Sequence, residues 1–132
     1  MIPDLQASLM CEDVRMEANG SNTIVGVVNF IGAPMLPIRI FKACVWTRWC
    51  SGSGHFLQET KIIAPDEETL IGEAKIEFEL KDEESHTTNV NVFSGLEFKE
   101  FGIYHVEILL DGKLKVRYPV NVVRVQPPPL PT

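Results

Sequence analysis

No apolar run in the 132-residue chain approaches the ~18 residues that a membrane-spanning helix requires. Basic residues are in deficit, with 12 Lys+Arg against 18 Asp+Glu and a formal net charge of −6. That balance excludes sequence-independent nucleic-acid binding, which works by neutralising phosphates. It equally disfavours adhesion to an anionic membrane surface. Cysteine is scarce. Cys11, Cys44 and Cys50 form no CxxC and leave at least one thiol unpaired. A Cys44–Cys50 disulfide requires the chain to double back between them; otherwise the odd count reads as free thiols in a reducing compartment. The start, Met1-Ile2-Pro3-Asp4, has neither the basic nor the apolar region of a secretory signal. A cytoplasmic location is expected.

Catalytic and cofactor signatures are missing as well. His55, His86 and His105 form no HxH, HxxxH or HExxH spacing, so no metal centre is predicted. There is no GxSxG, GxxxxGK[ST] or GxGxxG motif, and no cofactor is predicted.

What the chain does contain is strand periodicity. In Gly72–Leu80, Ala74, Ile76, Phe78 and Leu80 alternate with Glu73, Lys75, Glu77 and Glu79. This period of two marks a half-buried antiparallel strand. Further strands are predicted over 5–17, 22–31, 38–49, 56–64, 87–96, 102–110 and 113–125, rich in β-branched and aromatic residues. Turn chemistry separates them, as at Asn19-Gly20, Ser51-Gly52-Ser53-Gly54 and Asp111-Gly112. About seven or eight strands without a convincing helix predict an all-β antiparallel sandwich. The domain is placed at 1–125, followed by a Pro-rich tail at 126–132.

Two segments depart from simple alternation. In 38–49, Phe41, Ala43, Val45 and Trp49 share one predicted face, and Ile38, Ile40, Cys44 and Trp46 the other. In 23–31, Val25, Val27 and Ile31 oppose Ile24, Val28 and Phe30. A sandwich strand normally shows one face to water. Two apolar faces imply a cover from the protein's own loops, a terminal segment or a second subunit. Ile38, Ile40, Cys44 and Trp46 are therefore the candidate interface.

The last hairpin carries a register problem. A two-residue loop at Asp111-Gly112 pairs Val106 with Arg117 and sets the apolar rows on opposite faces. A three-residue loop, Leu110-Asp111-Gly112, pairs Ile108 with Leu114, Val106 with Val116 and Tyr104 with Tyr118, and the pattern favours it. Upstream, Glu100-Phe101-Gly102-Ile103-Tyr104 resembles the tyrosine-corner stretch of immunoglobulin-like domains. Gly102, Tyr104, Asp111 and Gly112 are the predicted structural positions.

Over its whole length the chain resembles a family of uncharacterised bacterial β-sandwich proteins. The likeness rests on Cys11-Glu12-Asp13-Val14-Arg15 with Asn19-Gly20, on Thr23–Val27, on Ile63-Ala64-Pro65-Asp66-Glu67, and on Phe98 through Gly102-Ile103-Tyr104 to Asp111-Gly112. Here Asp66-Glu67 replaces the more usual Asp-Gly turn. The resemblance implies an immunoglobulin-like or similar sandwich and brings no catalytic residue, nor does a fold supply one.

Three chemical candidates remain. Cys50 and His55 flank the glycine loop, but no third orienting residue accompanies them. Trp46 and Trp49 are residue types that stack on sugars, although residues three apart on a strand point to opposite faces. The tail holds Pro128-x-x-Pro131 with Arg124 as the only nearby base. The expected function is a non-catalytic protein-interaction or structural module that contacts another protein or a second copy. The alternative is a carbohydrate-like ligand bound at Trp46 or Trp49.

Overall fold

The computed structural model describes residues 1–127; the Pro128-x-x-Pro131 motif lies outside them. Nine strands run β1 Asp4–Met16, β2 Asn22–Val27, β3 Phe30–Ala33, β4 Ile38–Cys50, β5 Gly54–Ile63, β6 Leu70–Leu80, β7 His86–Phe98, β8 Gly102–Leu110 and β9 Lys113–Arg124. They form a four-stranded sheet, β2-β1-β4-β7, and a five-stranded sheet, β3-β9-β8-β5-β6. All pairings are antiparallel except β3 with β9. The chain is all-β and sandwich-like, with nine strands in place of the seven or eight predicted. None of the described residues forms a helix long and apolar enough to cross a membrane.

The extra strand comes from 22–31. This segment is two strands, β2 and β3, in opposite sheets. Val28 at the crossover packs on the core, and Ile31 and Ala33 are buried beyond it. Its two apolar faces therefore serve two sheets.

Strand β4 resolves its double pattern differently. Ile38 and Ile40 pack against the core, and so do Ala43, Val45 and Trp49. The inward set thus changes parity between Ile40 and Ala43, and Phe41 and Lys42 are both exposed. On β7 the inward set shifts at the same level, from Phe98 and Leu96 to Phe93, Asn91 and Asn89. The register between the strands is continuous from Ile38↔Phe98 to Cys50↔His86 apart from the Phe41–Gly95 level. Gly95 there has φ +71, a left-handed conformation that glycine adopts freely.

The β8–β9 hairpin uses neither proposed register. Its turn is the two-residue one, pairing Leu110 with Lys113, and Asp111 and Gly112 both have positive φ, 48° and 82°. Such a pair of dihedrals suits the twist of the flanking strands. A shift between Ile108 and Leu109 then changes the pairing to Ile108↔Val116, Val106↔Tyr118 and Tyr104↔Val120. The irregularity in the ladder, not a longer loop, brings the two apolar rows to one face. Leu114 is left exposed as a result.

Between the sheets the core holds an apolar half around Phe98, Tyr104, Ile62, Val106 and Val122. Its other half, around Trp49, Phe56 and Phe78, encloses a buried polar network. Trp49 Nε1 donates to Gln58 Oε1 at 2.8 Å, as does Asn89 Nδ2 at 2.9 Å. Gln58 Nε2 donates to Thr60 Oγ1 at 2.9 Å, and Thr60 Oγ1 donates to Asn91 Oδ1 at 2.6 Å. Strands β4 and β7 supply one side of this network and β5 the other, so it ties the sheets together. No buried side-chain polar atom among the described residues lacks a partner.

Candidate functional site

The outer face of the four-stranded sheet gathers the sequence candidates. A cross-strand row runs Val27, Cys11, Cys44, Val92 over β2, β1, β4 and β7. The two cysteines in the middle are buried while Val27 and Val92 at its ends are exposed. Beyond Cys11, β1 leaves β4 and pairs only with β2. The resulting hairpin turns back over the sheet, with Asp13 bound to Lys42 at 2.7 Å and Asn22 accepting from Trp46 Nε1 at 3.2 Å. Burial raises the thiol pKa of Cys11 to about 11, and that of Cys44 also goes up. Lys42 holds the Asp13 carboxyl below its ordinary value through their hydrogen bond.

The four candidate interface residues do not share a face. Ile38 and Ile40 turn to the core, whereas Cys44 and Trp46 lie outside, next to the hairpin. The reason is the parity change at Phe41-Lys42, which strict alternation cannot anticipate. Trp49 is 0% exposed and cannot stack on a ligand. Trp46 is half-buried and lines a cleft of about 510 Å³ with Asn22, Arg48, His86 and Thr88.

A second concavity, of about 590 Å³, lies where the chain crosses from β2 to β3. Phe41 (89% exposed), Phe30 (56%) and Val27 (52%) line it with Ile40, Phe98 and Lys42. Alternation in the sequence assigns Phe41 to the core side and places Phe30 within a longer strand, so it does not predict this groove.

Cys50 and His55 are held differently from the sequence pairing. His55 Nε2 stands 3.8 Å from Glu79, and Cys50 lies in register with Asp4 of β1 and His86 of β7. His105 is in an ionic group on β8 and β9, its Nδ1 3.0 Å from Arg117, which also binds Glu67. Glu67 has φ 66 at the position where Asp-Gly turns place glycine. Asp66 caps that turn; the Thr69 hydroxyl and the amides of Thr69 and Glu68 lower its pKa. Among the described residues no group of three or more His, Cys, Asp and Glu is placed to hold a metal ion.

The structural positions cluster at the ends of β8. Tyr104 Oη donates to the Glu100 carbonyl at 2.8 Å, and its ring meets Phe98 edge-on at 5.0 Å. Gly102 has φ +139, and a side chain there would press on Pro65. At the other end Asp111 Oδ1 accepts from the Leu57 amide at 2.8 Å, docking the turn on β5.

Comparison with solved structures gives a glycosyl hydrolase family 2 member from Bacteroides cellulosilyticus at TM-score 0.45 and 11% identity. The likeness covers 76% of this chain and 17% of that one. No curated protein matches. A family profile matches residues 6–123, and the chain therefore belongs to DUF6941, a family of unknown function.

Proposed function

We propose that the domain is a non-catalytic, immunoglobulin-like sandwich that works in the cytoplasm by contacting another protein. The immunoglobulin-like reading is supported by the Tyr104–Glu100 corner and by the parallel edge strand β3 beside β9. The interaction reading rests on one observation: Phe41, Phe30 and Val27, all more than half exposed, surround a single groove. Contiguous exposed apolar surface of this kind marks contact sites on soluble domains. A photoreactive residue at position 41, introduced in the source cells, tests it. A discrete protein adduct is expected, and the absence of any adduct overturns the reading.

The Trp46 cleft supports a second reading, because an aromatic face there adjoins Asn22, Arg48 and Thr88. A carbohydrate-like ligand in that cleft shifts Trp46 emission on titration. Trp49, sealed in the core, takes no part.

A further inference from the structure

Strand β7 ends its sheet, hydrogen-bonded to β4 on one side and to no strand on the other, while β6 of the opposite sheet packs near its Phe93 and Leu96 at Gly72. A long free edge offers a row of unpaired backbone donors and acceptors, and proteins normally guard it with charge, proline or brevity. The other edges follow that rule. β3 has four residues, β2 belongs to the folded-back hairpin, and β6 carries Glu73, Lys75, Glu77 and Glu79 on its solvent face. β7 has 13 residues and no proline, and its only Asp, Glu, Lys or Arg is Glu97, which is already paired with Arg39 and Lys99. Within it, Thr87-Thr88-Asn89-Val90-Asn91-Val92-Phe93 has zero charge and no proline or glycine, with β-branched or aromatic residues at five of its seven positions, a composition able to pair with another strand. The change at Ser94-Gly95 interrupts alternation and limits the pairing stretch to this segment.

We propose that the edge of β7 is a self-association surface, on which Thr87–Phe93 pairs antiparallel with the same segment of a second copy. This deepens the interaction-module reading and rests on it. A second copy fits because the segment is its own complement. Antiparallel pairing centred on Val90 sets Val90 opposite the copy's Val90 and Val92 opposite its Thr88, and brings no like charges together. The same pairing gives Val92, now 57% exposed on the outer face, a cross-strand neighbour. It also continues the four-stranded sheet of one copy into that of the next, a mode of strand addition used widely in recognition. Strand pairing alone covers less than the roughly 1,600 Å² of a standard stable interface. The association is therefore concentration-dependent.

Light scattering over a concentration series, combined with amide hydrogen exchange, tests the proposal on the full chain. The expected result is a monomer–dimer equilibrium in which the amides of 87–93 slow with concentration and those of 73–79 do not. Val92→Lys and Ser94→Lys, both at exposed positions, are expected to abolish the dimer with unchanged melting and tryptophan emission. Glu77→Lys on β6 is expected to leave it intact. A chain that stays monomeric, with β7 amides exchanging freely throughout, overturns the proposal. So does a dimer whose protected amides lie elsewhere. A position-41 adduct with a different protein, found for a monomeric chain, would leave the interaction module standing without the homotypic edge.

Discussion

The indole N–H of Trp46 donates to Asn22 Oδ1 across 3.2 Å, fastening the β1–β2 hairpin to the outer face of β4. The two residues are 24 positions apart, and nothing in the local pattern of either announces the contact. It explains how an apolar outward row on β4 persists: a segment of the same chain folds onto it. Asn22→Ala is expected to cost about 1 kcal/mol, the net worth of one part-buried hydrogen bond. Trp46→Glu removes the packing as well and sets a carboxylate against the hairpin, so its loss should be larger. Thermal melting of both variants checks the order, and a Trp46→Glu protein as stable as the wild type would show that the hairpin does not depend on this contact.

The buried network predicts an asymmetry. Gln58 is fully buried, and its amide serves Trp49, Asn89, Thr60 and Asn91 at once. Gln58→Met keeps most of the volume but strands the Trp49 and Asn89 donors. Each buried group left without a partner costs about 1–3 kcal/mol, so a loss of about 3 kcal/mol is expected. Asn89→Ala, which removes a donor and leaves Gln58 Oε1 still bound to Trp49, should cost less. Chemical denaturation curves distinguish the two, and equal losses would mean that the amide is not the hub.

The sequence made some of this legible and hid the rest for identifiable reasons. β6 is readable because one of its faces meets the core and the other meets water, so every second residue reports burial. The tyrosine-corner spacing was likewise visible in Glu100–Tyr104. Strands β2 and β3 read as one in the sequence because the crossover at Val28-Asn29 contains no proline or glycine. In β4 the parity change falls opposite Gly95 of another strand, 54 residues later. In β8–β9, sequence correctly demanded that the apolar rows share a face, but a shifted ladder and a longer loop both satisfy that demand. The Trp46 cleft and the groove beside Phe41 were out of reach, since each is assembled from elements whose placement is a tertiary outcome.

Tyr104 separates two roles in one side chain. Its hydroxyl makes one hydrogen bond to Glu100, while its buried ring packs on Phe98. Tyr104→Phe should cost about 1 kcal/mol. Tyr104→Ala should cost roughly 3–5 kcal/mol, as for truncation of a large core aromatic. Equilibrium unfolding of the pair measures the division, and a Phe variant as damaged as the Ala variant would contradict it.

Alkaline pH should weaken the fold through groups that are buried in neutral form. Burial raises Cys11 from 9.0 to about 11, with Cys44 beside it adding to the effect. Burial likewise raises Tyr118 from 10.0 to about 12, against a smaller lowering by its bond to Ser8. For an acid whose folded pKa is raised, the native state holds its proton after the unfolded chain has released it. The unfolded state then binds fewer protons, and stability falls as pH rises. The decline should begin near pH 9, where the unfolded Cys11 thiol ionises, and steepen above pH 10 as Tyr118 joins it. Tyr118→Phe should remove the steeper part, and Cys11→Ala the earlier part, each at its own cost in neutral-pH stability. The same burial predicts thiol behaviour. Under native conditions a thiol reagent should titrate Cys50 ahead of Cys11 and Cys44, which are sealed in the sheet, and denatured unreduced protein should yield all three. Recovery of a single thiol from denatured protein would mean a disulfide and would overturn the cytoplasmic assignment, whereas melting curves independent of pH between 8 and 11 would show that neither buried acid is linked to unfolding.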